Sequence, residues 1–226
     1  MEKEMTKLTE NLAFPETDLT LVVEGQKIHV NKSVLSEHSP VFDTMFKSQF
    51  KESTAKEIPL EDKKADDVVE FLSCFYPKMK HPVKAENVLQ VLPIAHEYQS
   101  SLVTDCEDFM IAMCKPDKRL TVNTLLDYIL AGEKYGFTRF IEAAVELCAR
   151  IDFDVLNGKK FNCYLETQDK NISLKFSKIG IKTQYAISKK RLQRLEKYYR
   201  SNPRTSGDDV TIPLSCHLVT RKGFYY

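Results

Sequence analysis

The chain has 226 residues, a formal net charge of +1 and 42% hydrophobic residues. This composition supports a folded core, and it excludes both a disordered acidic chain and a general nucleic-acid binder. The length exceeds the usual domain size of about 100 to 150 residues, so we expect one domain with an extension or two small domains.

Charge is distributed unevenly along the sequence. Residues 151–226 hold 15 lysines and arginines against 7 acidic residues, a net charge of +8, whereas residues 1–150 hold 18 against 25, a net charge of −7. Opposite charges attract, so the basic C-terminal region is predicted to lie against the acidic part of the chain.

The cysteines and the N-terminus indicate the cellular environment. The six cysteines form no CxxC pair, and four lie in apolar helical stripes where a reduced thiol packs as a small hydrophobic group. The first ten residues are charged, and no stretch reaches the roughly 18 apolar residues of a membrane span. We therefore expect a soluble protein without membrane contact, located in the cytoplasm, the nucleus or both.

An alternating segment is the first predicted structure. Leu19, Leu21 and Val23 occupy every second position, which is typical of a strand with one buried face. Residues 24–26 then reverse the chain, and the alternation resumes at residues 28–30. The sequence therefore predicts a hairpin.

Two capped helices are predicted directly after this hairpin. Asn31 offers a capping oxygen to a helix that begins at Lys32, and Ser39 followed by Pro40 is typical of the start of a second helix. The succession of strand, strand, helix and helix builds a surface for another protein rather than a pocket for chemistry.

More helices and one short strand are predicted up to residue 151. Residues 57–60 form a strand whose Pro59 favours a sheet edge. Helices follow, and Pro93 is expected to bend or break one of them. The break at residues 115–117 precedes a pair of antiparallel helices joined at Gly136, which is expected to adopt a left-handed conformation.

The pattern beyond residue 151 is less regular. Residues 161–165 and 172–181 are predicted as strands. Residues 187–200 form a basic amphipathic helix, and the chain after residue 203 is predicted to be frayed or disordered. The predicted apolar side of this helix carries Ile187, Leu192, Leu195 and Tyr199.

The start of the chain resembles a BTB/POZ domain. The resemblance extends through about Cys114 and more loosely to Ile151, where the helical pair is similar to the first part of a BACK region. Val30-Asn31 stands where the family usually has Ala-His, so no role of that histidine carries over. The matching residues are Asp18, Ile28 to Lys32, Val34, Leu35, Ser36, Ser39, Phe42, Met45 and Phe46.

The resemblance implies an α+β fold, in which a small sheet of short strands is flanked by a cluster of helices. A helical hairpin and a weakly ordered C-terminal region are expected to follow. The implied organisation is an N-terminal tail over residues 1–16, a BTB/POZ domain over 17–114, a BACK-like helical extension over 115–151 and a basic, partly disordered region over 152–226.

A cullin-binding triplet is implied by the same resemblance. In BTB adaptors a hydrophobic-x-acid triplet after the second helix contacts a cullin scaffold, and Phe50, Lys51 and Glu52 stand at this place. A partner groove would desolvate the apolar side chain, which has little reason to lie in a polar loop. The alternative is that Phe50 folds back onto its own domain while Glu52 is solvated.

A two-fold dimer interface is also implied. In the family, an acid before the first strand meets a basic residue at the start of the first helix, and the first two helices pair across the axis. The alternative is that the apolar residues fill the core of one chain and the two charges are exposed. The interface residues implied here are Asp18, Lys32, Val34, Leu35, Phe42 and Met45.

No enzyme motif is present. The sequence lacks a phosphate-binding glycine loop, GxSxG, HExxH and paired cysteine clusters, so we predict a non-enzyme with no catalytic residue, cofactor or metal. The resemblance implies a dimeric substrate adaptor that links an unknown client to a cullin-based ubiquitin ligase, as a homodimer or as a heterodimer with another BTB chain.

A second interpretation is a BTB-only scaffold or nuclear transcriptional cofactor that acts through BTB-mediated dimerisation. The basic run at residues 189–194 would then act in localisation. This run is more often a solvated helix face. Direct nucleic-acid binding is not predicted, because the aromatic residues of a single-strand platform are absent.

Overall fold

The computed structural model describes residues 17–47, 54–76, 79, 81–162, 165–168 and 170–201. The described residues fall into two compact units, which divide between Phe109 and Met110. The described part combines a three-stranded sheet and a two-stranded sheet with many helices, so the predicted α+β class is confirmed. The finer domain boundaries at residues 114 and 151 stay predictions.

The first unit begins with a hairpin and alternates between short strands and helices. Its elements are β1 (Leu19–Val23), β2 (Gln26–Val30), α1 (Lys32–His38), α2 (Pro40–Lys47), β3 (Glu57–Pro59), α3 (Ala65–Phe75) and α4 (Val88–Glu97). Helix α5 (Leu102–Met113) leads into the second unit.

The second unit is mainly helical. Its elements are α6 (Val122–Tyr135), α7 (Thr138–Cys148), α8 (Phe153–Leu156), β4 (Lys159–Asn162), β5 (Leu165–Gln168), α9 (Lys170–Lys178) and α10 (Ile181–Ser201). None of the helices in the described part of the chain combines the length and the hydropathy that crossing a membrane requires.

The sheet of the first unit has the order β2-β1-β3, with β1 antiparallel to β2 and parallel to β3. Alternate residues of β1 are buried, as the sequence predicted. Glu24 (φ 50°) and Gly25 (φ 77°) form the turn, and two residues with positive φ match the twist of a tight hairpin. Pro59 lies in edge strand β3, which confirms the predicted edge position.

An aromatic cluster forms part of the core of the first unit. The rings of Phe42 and Tyr98 are stacked at 4.4 Å between centroids and 8° between planes. Phe71 lies 6.3 Å from Tyr98 and makes an edge contact with Phe75 at 5.1 Å. Helices α2 and α3 and the residue that follows α4 are thereby joined through aromatic side chains.

Helix α4 is continuous through Pro93. Proline removes one backbone donor and crowds the carbonyl one turn earlier, which is why the sequence predicted a bend or a break. The helix is not broken. Pro93 is exposed, while its neighbours Leu92 and Ile94 are buried.

Helices α6 and α7 form the pair that the sequence predicted. Gly136 follows α6 in the left-handed conformation, with φ of 73°, and its N–H donates to the carbonyl of Gly132. Helix α9 packs on α6, and α10 packs on α7. The second unit is therefore built around the α6–α7 pair.

The strand predicted at residues 172–181 is wrong, because this segment forms α9 and the start of α10. The strand predicted at residues 161–165 overlaps the hairpin of β4 and β5, whose Lys159 pairs with Gln168. The basic helix predicted at residues 187–200 is confirmed and is longer than expected, since it begins at residue 181. Its predicted apolar side is wrong, because Ile187 is 2% exposed and packs inward while Leu192 and Tyr199 are 57% and 43% exposed.

Basic residues of the C-terminal region contact acidic residues of the α6–α7 pair. The Lys175 ammonium lies 2.7 Å from the Asp127 carboxylate and 2.8 Å from the Asn123 amide oxygen. Lys190 lies 2.7 Å from the Glu146 carboxylate. These pairs are partly exposed, so each contributes about 0 to 1 kcal/mol. The expected attraction between the basic region and acidic residues is therefore present within the second unit.

Candidate protein-interaction surface

The junction between α1 and α2 is fixed by a buried serine. Ser39 is 1% exposed, and its hydroxyl donates to the Tyr98 carbonyl at 2.6 Å. The same oxygen accepts the Phe42 N–H at 3.2 Å, which is the cap that the sequence predicted for α2. The surface formed by α1 and α2 is thus tied to the C-terminal end of α4.

Helix α1 is capped by a residue from outside the helix. The Asn31 side chain makes no cap, contrary to the prediction, and the Lys32 N–H donates to the Asp18 carboxylate at 2.8 Å. The Asn31 N–H donates to the Tyr76 hydroxyl at 2.9 Å. Burial raises the pKa of Tyr76 to about 12, so this hydroxyl stays neutral at physiological pH. Asp18 therefore has a structural role within one chain.

Two of the implied interface residues lie in the core of their own chain. Leu35 is fully buried and Phe42 is 1% exposed, so neither offers apolar area to a partner. The alternative interpretation, that they fill the core, holds for these two residues. The interface as a whole stays a prediction, and it now rests on the other four positions.

Those four positions keep some accessible surface. Asp18 is exposed, and Lys32, Val34 and Met45 are half-buried. A half-buried side chain is held in place by its own chain, and the part that stays accessible can still be covered by a partner.

Phe46 also belongs to this surface, although the sequence analysis did not assign it to the interface. It is half-buried, and the Lys32 ammonium lies 5.5 Å from its ring centroid, within the range of a cation–π contact. Its ring is also stacked with Phe42 at 5.8 Å. The four-residue spacing of Phe42 and Phe46 on α2 was the available signal. We call Lys32, Val34, Met45 and Phe46 the α1–α2 surface.

The implied cullin-binding residues Phe50 and Glu52 lie outside the described residues. Helix α2 ends at Lys47, three positions before Phe50, and the described chain resumes at residue 54. The assignment of Phe50 and Glu52 therefore stays a prediction.

The thiols of the described chain are not suited to nucleophilic chemistry. Burial raises the pKa of Cys74, Cys106 and Cys148 to about 12, so these thiols stay protonated at neutral pH. Cys74, Cys106, Cys114 and Cys148 are all free. They act as small packing groups, as the sequence predicted.

The basic run at residues 189–194 is partly engaged within the second unit. Lys190 and Arg194 both contact the Glu146 carboxylate, at 2.7 and 3.7 Å. The guanidinium of Arg191 lies 5.7 Å from the Phe153 ring centroid. Three of the four cations of this run thus have partners in the same chain.

The hairpin, the capped helical pair and the edge strand form a small α+β domain in which α1 and α2 keep a partly accessible surface. Residues 10–113 match the BTB/POZ domain family. The chain therefore contains a BTB/POZ domain over these residues, and the resemblance seen in the sequence is confirmed. BTB/POZ domains are protein-interaction modules, and the family is not an enzyme family.

Curated relatives combine this domain with others. The chain is 39% identical over 95 residues to "BTB and MATH domain-containing protein 38" of Caenorhabditis elegans, covering 42% of this chain and 24% of the relative. It is 25% identical over 179 residues to "TD and POZ domain-containing protein 1" of Mus musculus, covering 78% of this chain and 47% of the relative. The chain therefore spans about a quarter to a half of the length of these relatives.

A viral relative gives a similar result. The chain is 22% identical over 150 residues to "Kelch repeat and BTB domain-containing protein 1" of Vaccinia virus (strain Copenhagen), covering 66% of this chain and 25% of the relative. The three relatives thus share the BTB/POZ region and differ in the domain that their names add to it. The BACK-like character of α6 and α7 stays a prediction.

Proposed function

We propose that this chain is a dimeric adaptor that links a client protein to a cullin-based ubiquitin ligase. The observation that carries the proposal is the BTB/POZ match over residues 10–113, which includes both the α1–α2 surface and the Phe50 triplet. In this proposal the domain uses two separate sites. The α1–α2 surface binds a second copy of the chain, and the Phe50 triplet binds the cullin.

The proposed cullin contact depends on the place of the triplet. Phe50 follows the end of α2 by three residues, so α2, which Ser39 ties to α4, would hold one end of the binding segment in position. An aromatic side chain that enters a partner groove is the type of residue that dominates binding energy. Glu52 would fix the register through its charge.

A purified cullin N-terminal region tests this contact. Phe50→Ala and Glu52→Lys are expected to weaken binding at least about tenfold, because truncating such an anchor costs roughly 2 kcal/mol or more. Lys51→Ala is the matched control and is expected to bind like the wild type. Titration on immobilised cullin measures all four proteins. The mechanism is wrong if the four bind equally or if none binds.

The proposed dimer uses the α1–α2 surface. Val34 and Met45 lie on neighbouring helices and remain partly accessible, and a two-fold axis brings the same patch of two chains together. Lys32 and Asp18 lie at its margin. This arrangement supplies an apolar centre with a polar rim, which is the usual composition of a protein interface.

Substitution of the apolar centre tests the dimer. Val34→Asp and Met45→Asp are each expected to weaken association at least about tenfold, because a carboxylate would be buried without a partner. Thr44→Asp, at an exposed position of α2, is the matched control. Light scattering after size-exclusion chromatography measures the mass. A wild-type monomer at tens of micromolar, or a dimer unaffected by both substitutions, would refute the proposal.

The client is proposed to be bound in one of two ways. Either residues 152–226 recognise it, or the chain pairs with another BTB protein that does. The names of the relatives add MATH, TD or kelch regions to the BTB/POZ domain, so a further region beside this domain has a parallel in them. Pulldown through a heterodimer, with and without the α1–α2 substitutions, separates the two routes.

A further inference from the structure

Helix α10 has two faces of different character. One face packs against the second unit, where Thr183 and Ile187 are 7% and 2% exposed. Lys190 and Arg191 continue this face through their contacts with Glu146 and Phe153. The inner face therefore holds the helix in place, and the outer face is left to the solvent.

The outer face carries a regular row of side chains, which we call the α10 seam. Its positions are separated by four and three residues in turn, which is the heptad spacing of helices that pack side by side. Most of the row is apolar and well exposed: Ile181 is 83%, Tyr185 67%, Leu192 57% and Tyr199 43% exposed. The full row is Ile181, Tyr185, Ser188, Leu192, Leu195 and Tyr199.

Single exposed apolar residues are common on protein surfaces and carry no meaning alone. A row in heptad register is different, because its side chains meet one partner helix along a continuous line. Helix α10 has 21 residues and is therefore about 30 Å long, which is enough for three heptads. The stripe is narrow, and this width suits a helix better than the broad apolar face that lies in a membrane surface.

The charges of α10 indicate the chemistry of the partner. The helix contains seven lysines and arginines but one acidic residue, Glu196. Lys182 and Lys189 follow the seam residues Ile181 and Ser188, are exposed, and make no ion pair within the described ranges. A second copy of α10 would bring like charges together, whereas carboxylates next to the seam would complement them.

We propose that the α10 seam binds an acidic amphipathic helix of a partner protein. Apolar side chains of that helix pack against Tyr185 and Leu192, and its flanking carboxylates lie next to Lys182 and Lys189. This site lies on a different element from the α1–α2 surface and the Phe50 triplet. It therefore does not depend on the proposed dimer or on the proposed cullin contact.

The test uses the full chain and a labelled acidic peptide of three heptads. In each heptad the peptide carries leucine at the two core positions, a and d, and glutamate at the two flanking positions, e and g. Saturable binding is expected in fluorescence anisotropy. Tyr185→Gln combined with Leu192→Gln is expected to weaken it at least about tenfold, because these side chains would be the buried anchors. Lys182→Glu combined with Lys189→Glu is expected to weaken it similarly and to reduce its dependence on salt.

The matched control is Leu174→Gln on α9, because Leu174 is 55% exposed and lies outside the seam. It is expected to bind the peptide like the wild type. All substituted positions are exposed and glutamine and glutamate are good helix formers, so circular dichroism is expected to be unchanged.

Four results would overturn the proposal. The first is the absence of saturable binding of the acidic peptide to the wild-type chain, or binding of equal strength by a peptide with lysine in place of glutamate at the flanking positions. The second is loss of dimer mass in the Tyr185→Gln/Leu192→Gln variant, which would assign the seam to a second copy. The third is seam-dependent binding to phosphatidylserine vesicles without peptide binding. The fourth is peptide binding only after Ile212→Asp and Leu214→Asp, which would assign the seam to the chain's own C-terminal segment.

Discussion

Phe42→Ala is expected to lower the free energy of unfolding by about 3 to 5 kcal/mol, which is the usual cost of deleting a buried aromatic side chain. The ring is 1% exposed and is stacked on Tyr98 at 4.4 Å. Alanine would remove this contact and leave a cavity between α2 and the end of α4. Well-oriented aromatic pairs add roughly 0.5 to 1.5 kcal/mol beyond the buried area.

Urea unfolding followed by circular dichroism measures this loss. Phe46→Ala is the matched control on the same helix, and it is expected to cost less because its side chain is only half-buried. The loss in Phe42→Ala is expected at every protein concentration, since the ring packs within one chain. If the loss of stability depended on protein concentration, Phe42 would instead contribute to the dimer interface.

Local patterns were sufficient for much of the fold. The alternation of Leu19, Leu21 and Val23 identified β1 and its buried face because side chains of a strand alternate between two sides. Ser39 and Gly136 marked helix ends because capping and left-handed geometry depend on a residue and its nearest neighbours. Each of these features is decided within a few residues of the chain.

Helix α9 shows where local patterns are ambiguous. Ile172, Leu174 and Phe176 alternate as in a strand, but Ile172, Phe176 and Ile179 also have helical spacing. Ile172 and Ile179 are buried, while Leu174 is exposed. The buried residues therefore follow the helical spacing and not the alternation of a strand. Lys175 adds contacts with Asn123 and Asp127 from another helix, and no local pattern shows them.

The candidate surface was predicted in position but not in detail. The resemblance identified α1 and α2, yet it did not distinguish Leu35 and Phe42, which are buried, from Val34 and Met45, which are half-buried. Short helices pack on more than one side, so their spacing alone does not say which residues stay accessible. The sequence predicted Asn31 as the cap of α1, whereas the structure shows Asp18 in this role. Asp18 is distant from α1 in sequence, but the fold brings it close in space.

Gly132→Ala is expected to destabilise the chain although alanine is the better helix former. A Cβ atom at this position would lie 2.7 Å from Cδ1 of Phe140, closer than real contacts allow. Phe140 is fully buried, so its ring has no open space to enter. Overpacking costs about 1 to 3 kcal/mol, which outweighs a gain in helix propensity of about 1 kcal/mol.

The partner substitution Phe140→Ala is expected to cost about 3 to 5 kcal/mol. Its ring makes an edge contact with Tyr128 at 6.5 Å, and both side chains are buried between α6 and α7. In the double variant the methyl group introduced by Gly132→Ala no longer meets the ring and partly fills the cavity. The double variant is therefore expected to lose less stability than the sum of the two single losses, by roughly 0.5 to 3 kcal/mol.

Gly136→Ala provides the control for this cycle. A Cβ atom at Gly136 would meet nothing within 4 Å, so its cost arises only from the positive φ of 73° and is about 1 to 2 kcal/mol. Combined with Phe140→Ala, it is expected to be additive in urea unfolding. Additivity at both glycines would mean that Gly132 is needed for its backbone alone. Coupling at Gly132 only would show that the close packing of α6 on the Phe140 ring requires a glycine there.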